Sequence, residues 1–291
     1  MLKIIIINGL ITGGQYAILS IGFSLVFGTA KILNFAHTTF YMIAAFLLLY
    51  GTIFLKLSYG TSAVLMAIPI TIVLGLICYK IFFDRIKEHQ VTVVIMASGL
   101  VILFQEALLI LFEGHYRGIP SFLAGYLEIM NIRMTYQQLF SMVMCFITIL
   151  AVWVLLSRTK LGNAIRAVSQ DREAAIVLGM NVNRICLITM GISTALAGIA
   201  AIAVAPIVVV HPLMWMHPLI VVLASVILGG LGSTKGAIIA SFILALTESA
   251  VIGLIPNGSF LKGVFSLGIM VIFLLFRPEG LFGVVFEEER L

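Results

Sequence analysis

Apolar residues run along this chain in long blocks separated by short polar breaks. A helix needs about 20 apolar residues to cross about 30 Å of hydrocarbon. Blocks of that kind fall near 4–29, 36–56, 62–83, 91–112, 136–157, 185–209, 217–230, 237–255 and 259–276. They lack the ten-residue alternation of a membrane β-barrel. The pattern predicts an all-α fold, a polytopic transmembrane helical bundle of about eight to ten spans forming one domain over 1–291. Broken or re-entrant helices are expected at two places. The seventh block is short and lies among Gly and Pro, and the first carries Gly13-Gly14 and ends in Gly28. The start, MLKIIIINGL, reads as a retained first span, because the apolar run continues and no A-x-A-like site follows it.

The longest polar interruption is the island 158–184. Arg158, Lys160, Arg166, Arg172 and Arg184 stand there against Asp171 and Glu173. Leu161 to Val168 predicts one short helix. Asp171 can cap a second from Arg172 to Leu178, with Glu173 in its first turn and Gly179 as its stop. A polar kink is expected at Ser169-Gln170. Two short helices on a polar island can orient the spans or serve as a handle for another protein.

Composition supports the membrane reading. The chain is 62% hydrophobic and 10% charged, whereas soluble domains carry about 25% charged residues. The net charge is +5, but the basic residues do not interleave with aromatics, so no nucleic-acid partner is expected. Membrane lipid is the surrounding partner, and cations mark cytoplasmic loops. With the island inside, twelve of the 17 Lys and Arg fall on its side and five on the other. That places 158–184 and the C-terminus in the cytoplasm. Cys78, Cys145 and Cys186 have unrelated spacings, and no metal or disulfide pattern is present. There is no G-x-x-x-x-G-K-[ST], H-E-x-x-H or G-x-S-x-G. The expectation is a protein that is not an enzyme and has no cofactor and no metal.

Polar groups inside the spans are costly and are functional candidates. Asn34 and His37 lie between the first two blocks, either in a broken element beside a pathway or in an inner turn that caps the second span. Gln105 with Glu106, and Glu248, lie within spans and read either as transport groups or as interhelical hydrogen-bond partners. Gly229, Gly230, Gly232 and Gly236 predict tight packing or a tight turn between spans. His211 and His217 sit in a Pro-rich outer stretch that reads as an interface loop. The outer loop 113–135 carries Tyr116 and Tyr126, and Tyr136 follows it, in keeping with an aromatic belt.

Glu173-Ala174-Ala175 followed by Gly179 resembles the EAA-x-x-x-G signature of ABC importer permeases. LGNAIRAVSQDREAAIVLGMNVNRI is similar to the corresponding loop of the branched-chain amino acid permeases of the LivH type. Asn34-Phe35-Ala36-His37 resembles their NFAHG, with Thr38 where glycine is usual. LGGLGSTKGA resembles their GG-x-GS-x-x-GA stretch, with Ser241 a few residues on where a small glycine is common. The tail from Phe276 to Gly283 resembles their FRP-x-GLFG. These stretches follow in order across nearly the whole chain. Ile188-Thr189-Met190 does not supply the later I-x-L-P of other importers. The resemblance implies a permease subunit in the cytoplasmic (inner) membrane of a prokaryote. It would work with a second homologous permease subunit, two ATP-binding subunits that hydrolyse ATP, and an extracytoplasmic substrate-binding protein. Asp171, Arg172, Glu173, Ala174, Ala175 and Gly179 would couple it to the ATPases. The implied substrates are branched-chain or other hydrophobic amino acids, with urea, amides or another small organic solute as the alternative. An ion-coupled secondary transporter or channel, with Glu106 and Glu248 as its ion sites, is one rival, and a purely structural or scaffolding membrane protein is another.

Overall fold

A computed structural model describes residues 2–87, 89–129 and 132–282. α1 spans Leu2–Ala30. A non-helical stretch, 31–36, leads into α2, His37–Phe54, whose last turn is widened into a π-helix. α3 covers Tyr59–Ile86 and α4 covers Gln90–Phe112. β1 (Tyr126–Ile129) and β2 (Ile132–Thr135) form an antiparallel hairpin. α5 is Tyr136–Arg158, α6 Lys160–Gln170 and α7 Arg172–Val177. α8 is Val182–Val204, α9 Met216–Gly229, α10 Thr234–Leu254 and α11 Lys262–Phe276. Among the described residues, seven helices are long and apolar enough to cross a membrane, and α9 and α11 are shorter apolar helices.

α1 is the hub. It packs along α10 and α8 and against α5 and α9, and its residues from Gly13 to Val26 are all buried. The Gly13-Gly14 pair, expected as a break, sits inside one continuous helix. Its role is close approach: a Cβ on Gly13 would lie 2.5 Å from the Phe242 ring of α10, and one on Gly14 2.8 Å from Cβ of Cys145 in α5. In lipid, where apolar surface gains little by leaving its surroundings, such close packing is what holds helices together. Ser20 and Ser241 add an α1–α10 hydrogen bond of 3.0 Å.

The 113–135 loop is more structured than an aromatic belt requires. Arg117 exchanges two backbone hydrogen bonds with Val210, of 3.0 and 2.8 Å. Phe122 stacks on Tyr59 with ring centroids 4.2 Å apart. The guanidinium of Arg133 on β2 lies over the Tyr126 ring of β1, 5.1 Å from its centroid. Tyr116 packs against His211, whose basicity burial lowers. The loop is therefore a folded cap over the adjoining ends of α2 and α3 and the 205–215 stretch.

Candidate functional site

The island forms a closed knob. Thr159 caps α6 by accepting the Gly162 N–H at 3.0 Å. α6 runs through Ser169 and Gln170, so the break falls one residue later than the sequence suggests. Asp171 is extended because its carboxylate turns back to accept the Ala174 N–H at 2.9 Å, which starts α7. At the other end, the Gly179 N–H bonds to the Ile176 carbonyl at 2.9 Å and the Met180 N–H to the Ala175 carbonyl at 3.0 Å. With Gly179 at φ +80, this is a complete Schellman closure. Ala175 is buried against the bundle, while Val177 and Leu178 are 86% and 77% exposed and Ile176 is exposed beside them. Three aliphatic side chains on a polar loop form an uncovered patch of the kind that marks a contact surface. The signature residues hold this tip in place, and the tip itself carries no sequence motif.

Asn34 and His37 are buried and fully engaged. Asn34 Oδ1 accepts the Ala36 N–H at 3.1 Å, an Asx turn that starts α2. His37 Nε2 donates to the Leu19 carbonyl of α1 at 2.9 Å, which fixes the tautomer. Its Nδ1 is then free to accept from the Ser193 hydroxyl of α8 at 3.1 Å. His37 thus ties three helices together, and Gly22 is what leaves room for its ring.

Glu248 is the centre of a second cluster. It is 3% exposed. Tyr16 of α1 donates to its Oε2 at 3.1 Å, and Ser266 of α11 to its Oε1 at 2.7 Å. His217 of α9 places Nδ1 3.2 Å from the Tyr16 hydroxyl. Its Nε2 lies 3.3 Å from Glu248 Oε1 without hydrogen-bond alignment. A proton on Nδ1 lets His217 donate to Tyr16 while Tyr16 donates to Glu248. Four helices meet in this network.

Gln105 and Glu106 are placed differently. Gln105 accepts from the Trp215 indole N–H at 2.9 Å and donates to Glu106 at 3.2 Å. Glu106 itself lies on the exposed face of α4, among the exposed Ile102, Leu103, Leu109 and Ile110.

The glycine run joins α9 to α10. Gly230 and Gly232 take φ of +98 and +86, and a Cβ on Gly236 would drive into the Gly229 carbonyl. Onto this turn folds the tail: the Leu281 N–H bonds to the Leu228 carbonyl at 2.8 Å and the Phe282 N–H to the Gly229 carbonyl at 3.1 Å. Two stretches far apart in sequence therefore form one joint. Gly283, the last residue of the tail pattern, lies outside the described residues.

Residue types and spacing left several partners unseen. Tyr16, Ser193 and Ser266 carry no local signal, because their partners lie on other helices. His217, read from the sequence as part of an interface loop, belongs to the Glu248 cluster instead.

The family model for the permease component of the branched-chain amino acid transport system matches residues 5–274. The chain is 28% identical to the high-affinity branched-chain amino acid transport system permease protein BraD of Pseudomonas aeruginosa, over 96% of this chain and 94% of that one. It is 25% identical to LivH of Escherichia coli, over 95% and 94%. A solved structure, PsaBC from Streptococcus pneumoniae in complex with Fab, shares the fold with a TM-score of 0.53 at 16% identity, covering 94% of this chain and 91% of that one. The chain is a multi-pass membrane protein and belongs to the family of branched-chain amino acid transport system permease components.

Proposed function

We propose that this chain is the membrane subunit of an ABC importer and forms half of a pathway for branched-chain or other hydrophobic amino acids. A second homologous permease completes the pathway, two ATP-binding subunits sit under the islands, and an extracytoplasmic binding protein delivers substrate. The island and the C-terminus face the cytoplasm of a prokaryote's inner membrane. The observation that carries this reading is the knob: capped at Asp171, closed at Gly179 and tipped with exposed Ile176, Val177 and Leu178. A rigid projection with an uncovered apolar tip suits a docking groove on a partner. α8 follows it directly, and α5 and α6 precede it, so a push on the knob passes straight into the bundle.

Within the membrane, Glu106 is the group proposed to face the pathway. A charged side chain at the bilayer centre costs about 3 kcal/mol. An exposed carboxylate on a spanning helix therefore needs protein or water against it rather than acyl chains. Asn34, His37 and Glu248 already have their partners within the chain and are proposed as structural joints between helices.

The test is uptake by the reconstituted complex, with binding protein, across a panel of amino acids, urea and amides. ATP-dependent uptake of leucine, isoleucine or valine is expected. Gly179→Leu meets open space but must hold a left-handed backbone, at a cost of about 1 kcal/mol. It is expected to leave ATP hydrolysis running while uptake falls. Uptake by the chain alone, driven by an ion gradient without ATP, would overturn the proposal.

A further inference from the structure

A cavity of about 400 Å³ opens on the island's side of the bundle, between α1, α5, α6 and the start of α10. That volume lies in the range of small-ligand sites. Its inner walls are apolar, with Leu25 and Trp153 among them. Its rim carries two cations, Arg166 of α6 and Lys235 of α10. Among the described residues, no acidic one lines it.

The surroundings narrow the occupant. Trp153 is half-exposed, and its neighbours Leu150 and Val154 are exposed and aliphatic. This face of α5 carries no charge between Tyr136 and Arg158, so it suits acyl chains. α6 is amphipathic, burying Ile165 and Val168 while Lys160 and Arg166 face outward. A free hydrophobic amino acid would bring an ammonium group as well as a carboxylate, and the cavity offers no acidic side chain to receive it. An anionic head on an apolar tail matches the two cations and the apolar part of the lining.

We propose that this cavity binds an anionic glycerophospholipid of the leaflet on the island's side. Its phosphate would sit between Arg166 and Lys235, and the upper part of one acyl chain would lie along Leu25 and Trp153. Calling that leaflet cytoplasmic rests on the orientation proposed above. The lipid site itself does not, because binding is measured on the purified chain without reference to sidedness. Gln170 lines the cavity and directly precedes Asp171, the cap of α7. A bound lipid would therefore brace the base of the knob.

The test uses the purified full chain in detergent with Trp215→Phe, which leaves Trp153 as the sole tryptophan. Phosphatidylglycerol with brominated acyl chains should quench Trp153 at lower mole fraction than brominated phosphatidylcholine. Native mass spectrometry should show phosphatidylglycerol retained in preference to phosphatidylcholine. Arg166→Gln with Lys235→Gln should weaken phosphatidylglycerol retention roughly thirty-fold, as expected for two basic contacts to an anionic lipid. Arg166→Lys with Lys235→Arg keeps both charges and should retain the lipid, which separates lost binding from lost folding. Equal quenching by the two lipids would overturn the proposal. So would retention unaffected by the double neutralisation, and so would displacement of phosphatidylglycerol by inorganic phosphate at equal concentration, the mark of a soluble-anion site.

Discussion

Glu248 and Glu106 stand on helices of similar apolarity, α10 and α4. Each reads from sequence alone as a carboxylate stranded in a span. Glu248 lies where α1, α9, α10 and α11 converge, and Tyr16 and Ser266 donate to its two oxygens, with His217 alongside. Glu106 sits on an open helix face among aliphatic side chains and accepts a hydrogen bond from Gln105. The first is a joint that holds helices together, and its charge is compensated inside the chain. The second leaves its compensation to whatever covers α4. A charge in a span thus carries two meanings, and the choice between them depends on how crowded the helix is.

Substitutions should separate the two. Glu248→Leu removes the acceptor for two buried hydroxyls and leaves His217 without its carboxylate. A loss of about 3–5 kcal/mol is expected, seen as a large fall in the melting temperature of the purified chain. Tyr16→Phe takes one charge-assisted hydrogen bond from Glu248 and the contact to His217, for about 2 kcal/mol. Ser266→Ala removes the other donor, for about 1.5 kcal/mol. Glu106→Gln should change the melt by less than about 0.5 kcal/mol, yet lower uptake in the assembled complex. A Glu106→Gln melt as damaged as that of Glu248→Leu would collapse the distinction. An unchanged melt with unchanged uptake would remove Glu106 from the pathway.

The spans, the caps at Asp171 and Gly179 and the close-packed glycines were legible, because each is written in local residue types. Length and apolarity mark a span, and an Asp before a helix and a Gly after it mark its ends. The partners were not legible. His37 needed Leu19 and Ser193, and Glu248 needed Tyr16, His217 and Ser266, all from distant helices. The tip of the knob was missed for another reason. Ile176, Val177 and Leu178 look like any apolar run, and only their exposure marks them. The hairpin in the outer loop was missed because strands of four residues are too short to show a period.

The joint between the tail and α9 bears on how the protein is made. The last carbonyls of α9, at Leu228 and Gly229, receive their donors from Leu281 and Phe282. Two further helices are synthesised in between. Chains are synthesised N-terminus first. The end of α9 therefore waits without these donors until the stretch after α11 has been made. A nascent chain arrested directly after α11 would hold all eleven described helices and still lack this clasp, so the α9 end is fastened only by a stretch that follows α11.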